Sequence, residues 1–216
     1  MYHLLLEAVR TILSPPYCAY CRIILPHRTP LCTDCRAHIT PVVPYKLSIT
    51  DHTTMSVIAY GTYEGPLAQL IRAKERGNLV GTQQLGALVA EYTATCIMPA
   101  DLMIPIPMHW IRYARRGYNQ AAVIAQSIHA VNHVPVAHLL RKTMYTPPQK
   151  SYNAQERKGN VAGSFALIDH TAVSQNLHIV LVDDVMTTGE TLRDAARALL
   201  PLKPASLRAL VAARVI

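Results

Sequence analysis

Asp183 and Asp184 are adjacent carboxylates in an informative setting. They follow the apolar run Ile179-Val180-Leu181-Val182 and precede Val185-Met186-Thr187-Thr188-Gly189-Glu190-Thr191. The apolar run reads as a parallel strand buried on both faces. Leu192, Ala195, Ala196 and Leu199 then fall on one face of a helix, and Pro201 ends it. A strand–loop–helix of this kind sets its loop at the carboxyl edge of an open α/β sheet, where such sheets bind ligands. Loop amides, the hydroxyls of Thr187, Thr188 and Thr191 and a helix amino terminus suit a phosphate. Adjacent carboxylates suit ribose hydroxyls or a magnesium ion. A ribose bearing a 5-phosphate uses all of these groups together. The plainer reading, an Asp-Asp turn before an ordinary helix, accounts for fewer of the positions.

A second cluster is made of thiols. Cys18-Ala-Tyr-Cys21 and Cys32-Thr-Asp-Cys35 are separated by ten residues. Two C-x2-C pairs with a short spacer are a tetrahedral zinc signature, each pair turning two sulfurs toward one point. Soft thiolates favour zinc over magnesium or calcium. With all four ligands supplied by protein, the site is structural, and metal would supply the fold of a segment too small for its own core. A redox dithiol and a pair of structural disulfides are the rival readings, the latter disfavoured in a cytosolic chain. Zinc ribbons often carry Gly after each pair, whereas Arg22 and Arg36 stand there in this chain. Cys96 follows Leu85, Leu88, Val89 and Tyr92 on the apolar face of an expected helix and reads as a core cysteine.

Cations gather in two further places. Ile104-Pro-Ile-Pro-Met-His-Trp110 leads into Arg112, Arg115, Arg116, Gly117, Tyr118, Asn119 and Gln120. A strand end, several arginines and a helix start suit a second anion such as pyrophosphate, since Arg is a planar, multi-donor phosphate reader. A solvated basic turn is the alternative. His109 either contacts ligand or packs and caps beside Trp110. The second place is Arg141-Lys142-Thr143 with Pro147-Pro148-Gln149, Arg157 and Asn160. A long polar loop from Arg141 to Gly159 reads as a lid that closes Arg141 and Lys142 over an anion, or as an exposed basic loop. Tyr60 and Tyr63, near Lys74, shape a base pocket or simply pack, packing being favoured.

The elements that must position these groups alternate between strand and helix. Strands are expected at Met55–Tyr63, Asp101–Pro107, Val136–Leu140, Ser164–Ile168, Leu177–Val182 and Leu207–Ala212. Helices are expected after Pro66, over Gln83–Cys96 and over Asn119–Val131. This order implies an α/β fold with a mostly parallel sheet flanked by helices. Pro41–Asp51 carries prolines and little periodicity and reads as a joint. Residues 1–50 are then an amino-terminal helix and a small four-cysteine zinc segment, and 51–216 the main domain. The stretch Met1–Leu13 is amphipathic and lacks a small-residue cleavage site, so it is expected to pack as a helix and not to act as a signal. No apolar run reaches the ~18 residues a membrane span needs, and a cytoplasmic location is the default expectation. The 216 residues carry 21 Lys and Arg against 13 Asp and Glu. That balance favours phosphate-bearing partners without separating a nucleotide from a nucleic acid.

Residues 179–191 resemble the phosphoribosyl-pyrophosphate (PRPP) loop of type I phosphoribosyltransferases. The wider pattern resembles the ComF family, also called ComFC or GntX-like. The resemblance runs from the four cysteines through Tyr60-Gly61, Leu70-Ile71 and Lys74. It continues through Pro105-Ile-Pro107, Arg116-Gly-Tyr-Asn-Gln120, Pro148-Gln149, Arg157 and Asn160 to Val182–Gly189. Arg-Gly-Tyr-Asn-Gln is its family-specific element; Ser151 and Tyr152 replace a Leu that some members carry in the lid. The resemblance implies PRPP bound with magnesium by Asp183, Asp184, Met186, Thr187, Thr188, Gly189, Glu190 and Thr191. It implies DNA uptake during natural transformation, binding of single-stranded DNA, and helicase-like and recombination-mediator associates. In purine-salvage relatives an Asp stands at the position of Thr187 and contacts or deprotonates the base, so a reaction of that type is disfavoured. An active transferase with an unknown nitrogenous acceptor and a non-enzymatic PRPP sensor remain as alternatives, and no catalytic residue is assigned.

Overall fold

Seven strands and six α-helices are laid out in a computed structural model that describes residues 15–27, 29–73, 79–95, 99–143, 163–168 and 173–216. In chain order they are α1 (Thr33–Ala37), β1 (Tyr45–Ser48), β2 (Thr54–Thr62), α2 (Gly65–Ala73), α3 (Leu79–Thr95) and β3 (Leu102–Pro105). There follow α4 (Trp110–Arg116), α5 (Gln120–Asn132), β4 (Leu140–Lys142), β5 (Phe165–Leu167), β6 (His178–Met186), α6 (Glu190–Leu199) and β7 (Ser206–Arg214). The main sheet has the order β1-β2-β7-β6-β3. All its pairings are parallel except β1 with β2. The expected α/β class, with a mostly parallel sheet flanked by helices, is what the chain adopts.

The apolar run of β6 explains its central place. Ile179 to Val182 are at most 1% exposed, as a strand covered on both faces must be. Ile179 and Leu181 join Leu192, Ala195, Ala196 and Leu199 of α6 in one core layer. Val180 and Val182 join Leu67, Leu70 and Ile71 of α2, Leu85 and Leu88 of α3, and Ile124 and Ile128 of α5 in the other. Alternate residues of one strand therefore seed two cores, the period-two consequence of the pleat.

Several expectations shift. Pro41–Asp51 is more than a joint, since it contains β1, whose register sets Leu47 opposite Met55. Only Leu47 of the four strand residues is buried, and an edge strand next to prolines shows no alternation to read. The strand expected at Leu177–Val182 runs on to Met186, so Asp183 and Asp184 lie within the ladder and not beyond it. The strand expected at Val136–Leu140 is reduced to a single bridge between Val136 and Met103. Leu140–Lys142 instead pairs antiparallel with Phe165–Leu167 in a separate two-stranded sheet, so Arg141 and Lys142 sit on a strand where a loop was expected. The expected helix at Met1–Leu13, together with Arg28, Lys74, Cys96 and the lid residues from 144 to 162, falls outside the described residues. Among the described residues no helix is long and apolar enough to cross a membrane.

Candidate functional site

The carboxylate pair stands at the carboxyl end of β6, both residues half-buried. Asp183 is aligned with Val211 of β7, and the amide of Asp184 donates to Asp183 Oδ1 at 2.8 Å. Met186 is buried, whereas Thr187 and Thr188 are exposed. Gly189 then turns the chain with φ +81° and precedes α6, which no side chain caps. A Cβ on Gly189 would lie 3.0 Å from Leu47 Cδ1 and 3.0 Å from Met186 Cε. The loop therefore rests on β1, and only glycine combines that φ with that approach. Two arginines of α6 reach the same edge: Arg193 Nε donates to the Ser48 carbonyl and Arg197 Nε to the Ile49 carbonyl, each at 2.8 Å. The Glu190 carboxylate pairs with Arg193 in the same turn, and Thr191 is half-buried. Thr187 and Thr188 are thus exposed hydroxyls just before a helix amino terminus that no side chain caps, a geometry suited to an anion.

The basic elements approach this edge from the other side. His109 is buried, and its Nδ1 accepts from the Ile111 amide at 3.3 Å, so the residue serves as the cap of α4. None of the α4 side chains is buried, Arg115 being exposed and Arg112 and Arg116 half-buried. The motif Arg116-Gly-Tyr-Asn-Gln120 is a helix stop joined to a helix start. Gly117 ends α4 at φ +81°, and the Asn119 side chain accepts from Ala121 N at 3.1 Å as the cap of α5. Asn119 Nδ2 also donates to the Ile106 carbonyl at 2.9 Å, tying α5 to the end of β3. Tyr118 Oη is 3.1 Å from Thr82 Oγ1 on α3.

Lys142 connects the two halves. Its Nζ lies 5.3 Å from the centre of the Phe165 ring. Burial lowers its pKa and nearby Arg112 adds to the fall, while Asp183 and Asp194 act in the opposite sense. The amine therefore feels both an arginine of α4 and the first carboxylate of β6. Arg141, its neighbour on β4, is exposed. A cavity of about 1010 Å³ opens beside these cations, with Trp110, Tyr113, Tyr118, Arg141 and Lys142 in its lining. Asp183 and Asp184 do not line it, so cavity and loop are neighbours that share the Lys142 region. Tyr60 and Tyr63 take packing roles, Tyr60 against Tyr92 at 5.3 Å between centroids and Tyr63 beneath the Arg72 guanidinium.

The cysteine segment builds the second centre. Cys18 N donates to the Ile23 carbonyl at 2.9 Å and Arg22 N to the Cys18 carbonyl at 3.0 Å, closing the first knuckle. Cys32 caps α1, accepting from Cys35 N at 3.4 Å. All four sulfurs lie within 4.8 Å of one another, with Cys21 and Cys32 at 3.7 Å. A tetrahedral zinc with bonds of about 2.3 Å needs sulfurs roughly 3.8 Å apart. The four are free thiols. Burial raises the Cys18 thiol, but the backbone of Cys32, Cys21 and Tyr20 outweighs it and brings the value down to about 6. Burial and the neighbouring thiols push Cys35 up. Four such thiols cannot all ionise without a cation among them, so a soft dication fits this donor set.

Asp194, a buried carboxylate that acts electrostatically on Lys142, is one that sequence reasoning missed. It is 6% exposed. Its carboxylate accepts from Gly163 N and Ser164 N, each at 2.8 Å, and so ties α6 to the start of β5. Its place beside the apolar stripe of Leu192, Ala195 and Ala196 was the available signal, because a carboxylate there needs partners.

Comparison with known proteins agrees with this geometry. Residues 113–215, from α4 to just past β7, match the phosphoribosyl transferase domain family. Competence protein F of Haemophilus influenzae is 28% identical over 202 residues, covering 88% of this chain and 81% of that protein. DNA utilization protein YhgH of Salmonella typhimurium is 26% identical over 194 residues, covering 85% and 83%. Competence protein ComFC of Bacillus subtilis is 31% identical over 100 residues, covering 46% of this chain and 38% of that protein.

Proposed function

We infer the role of this chain from its similarity to competence protein F and ComFC and from the match of residues 113–215 to the phosphoribosyl transferase domain family. The role is DNA uptake in natural transformation, on the cytoplasmic side, by a protein that binds PRPP with magnesium and handles single-stranded DNA. Helicase-like and recombination-mediator proteins are its proposed associates. The observation that carries the PRPP reading is the sequence of features along one sheet edge. Half-buried Asp183 and Asp184 end β6, exposed Thr187 and Thr188 follow, and α6 begins at Gly189 with no side-chain cap.

In this reading the 5-phosphate lies against the hydroxyls of Thr187, Thr188 and Thr191 and the first amides of α6, and Asp183 and Asp184 accept from the ribose hydroxyls. The pair's hard oxygen donors, half-buried at the rim of the sheet, also suit magnesium. Bound there, the ion would neutralise pyrophosphate charge. Lys142, with Arg112 and Asp183 as electrostatic neighbours, is the cation best placed for the pyrophosphate. Thr187 has no group that accepts a proton near neutral pH, so the loop binds the ribose phosphate without supplying a base for purine transfer.

Calorimetry tests the PRPP arm. Wild-type protein should bind PRPP in the presence of magnesium, and Asp183→Ala with Asp184→Ala should abolish the signal while the fold melts as before. No heat from wild-type protein would overturn the reading. Pyrophosphate release on adding a panel of bases would mark an active transferase instead. In cells, the same double variant at normal protein level should lose transformation frequency. Normal transformation would detach the loop from the DNA role.

A further inference from the structure

We propose that the groove between α4, α5 and β4 receives unpaired nucleobases of single-stranded DNA, with Trp110 as its stacking platform. The inference rests on the single-strand reading above and assigns that strand a place on the molecule.

The starting point is an anomaly of exposure. Trp110 is 69% exposed and Tyr113 52% exposed, although large aromatics contribute most when covered. They stand three residues apart on α4, on one helix face, and both line the cavity of about 1010 Å³. Tyr118 lines it too, its hydroxyl held near Thr82 of α3. Its aromatic side is thus part of a formed concavity and not a scatter of surface rings. Lys142 and Arg141 of β4 supply another wall. Arg112, Arg115 and Arg116 occupy further positions of the aromatic helix itself.

Charge decides among occupants. A second copy of this chain would cover the aromatics but would leave two sets of cations facing a chain that is itself +8. A polyanion with flat apolar faces satisfies both features at once. Single strands present bases for stacking and phosphates for Arg and Lys, which is how sequence-tolerant single-strand sites are built. In a duplex the bases are already stacked inside the helix, so the groove discriminates against it. The volume exceeds the space of a lone side chain and stands at the upper end of ordinary ligand pockets.

Trp110 is the chain's one tryptophan, so intrinsic emission reports this groove directly. The probe is a twelve-residue thymidine oligomer, compared with an abasic oligomer of the same length and charge. Binding is followed in parallel by fluorescence and by anisotropy of labelled DNA. The thymidine oligomer should quench the tryptophan and bind more tightly than the abasic one. Trp110→Ala should weaken thymidine binding by roughly tenfold or more, and Trp110→Phe by only a few-fold. Since the side chain is mostly in solvent, both variants should melt near wild type. Equal affinity for thymidine and abasic oligomers, or thymidine binding that neither quenches Trp110 nor responds to Trp110→Ala, overturns the groove while leaving backbone-driven DNA binding intact. No binding of either oligomer overturns both the groove and the single-strand reading.

Discussion

Replacing Asp194 tests how α6 and β5 are held together. Asp194→Ala deletes a carboxylate that accepts from Gly163 N and Ser164 N at 2.8 Å each. Hydrogen bonds to a charged group contribute about 1.5–3 kcal/mol each. Ser164 is 0% exposed, so its amide cannot turn to water once the acceptor is gone. Leaving a buried donor unmet costs about 1–3 kcal/mol, and this is already part of the lost-bond figure. A net loss of about 3–5 kcal/mol is therefore expected. For a chain of this size that lowers Tm by roughly 6–20 °C. Asp194→Asn keeps one carbonyl acceptor but turns an NH2 toward the second amide, so its loss should fall between wild type and alanine. Thermal unfolding followed by circular dichroism, with urea titration as a second measure, gives the order. If Asp194→Ala melts within about 2 °C of wild type, the carboxylate does not hold these elements and the reasoning fails.

Two further outcomes follow from the geometry. Gly189→Ala should cost about 1–2 kcal/mol from the left-handed backbone alone, and more from the 3.0 Å approach to Leu47 and Met186; PRPP titration should show a larger loss than melting does, because the strained residue opens the loop itself. Protein made without a metal-affinity tag should carry close to one zinc per chain by elemental analysis, and chelation should lower the melting of the whole chain. Metal-free protein with two disulfides and an intact fold would refute the second outcome.

What could be read from the chain, and what could not, follows from how local each signal is. The β6 loop was legible because a parallel strand buried on both faces leaves a continuous apolar run, and the following helix shows its stripe plainly. The cysteines were legible because ligand spacing is a local constraint. Strand β1 was not, since an edge strand with one inward residue, Leu47, carries no alternation, yet Leu47 is the surface on which Gly189 turns. The β4–β5 pair was hidden because its partners, Leu140 and Leu167, are distant in sequence. Strand β4 has three residues, too few to show a period, whereas β5 lies within the strand expected at Ser164–Ile168. The Arg116–Gln120 motif was visible as a pattern, but its physical content needed coordinates. Gly117 and Asn119 serve to stop α4 and start α5, which fixes where the arginines and Trp110 stand.

The cysteine segment belongs to the main fold more closely than its sequence implies. Cys18, Leu25, Leu31, Cys32 and Cys35 share one core with Leu67, Leu70 and Leu85 of the flanking helices. Gln69 Nε2 donates to the Ala19 carbonyl at 2.8 Å, and Arg36 pairs with Glu91 of α3 at 2.6 Å. The ion pair is exposed on both sides and adds at most about 1 kcal/mol. Buried apolar side chains, at about 1.5–3 kcal/mol each, do most of the docking. Within the knuckle, Arg22 adopts φ +67° at the position where ribbons often place glycine. A non-glycine residue there costs about 1–2 kcal/mol. Its guanidinium lies 5.2 Å from the centre of the exposed Tyr17 ring, a contact that offsets about 0.5–1 kcal/mol of that cost. The remaining strain is tolerated because the backbone hydrogen bonds of the knuckle and the shared core over-determine the turn. Arg22 and Tyr17 therefore present a cation and an aromatic together on a rigid support, the same pairing of chemistries that Arg112 and Trp110 present on α4.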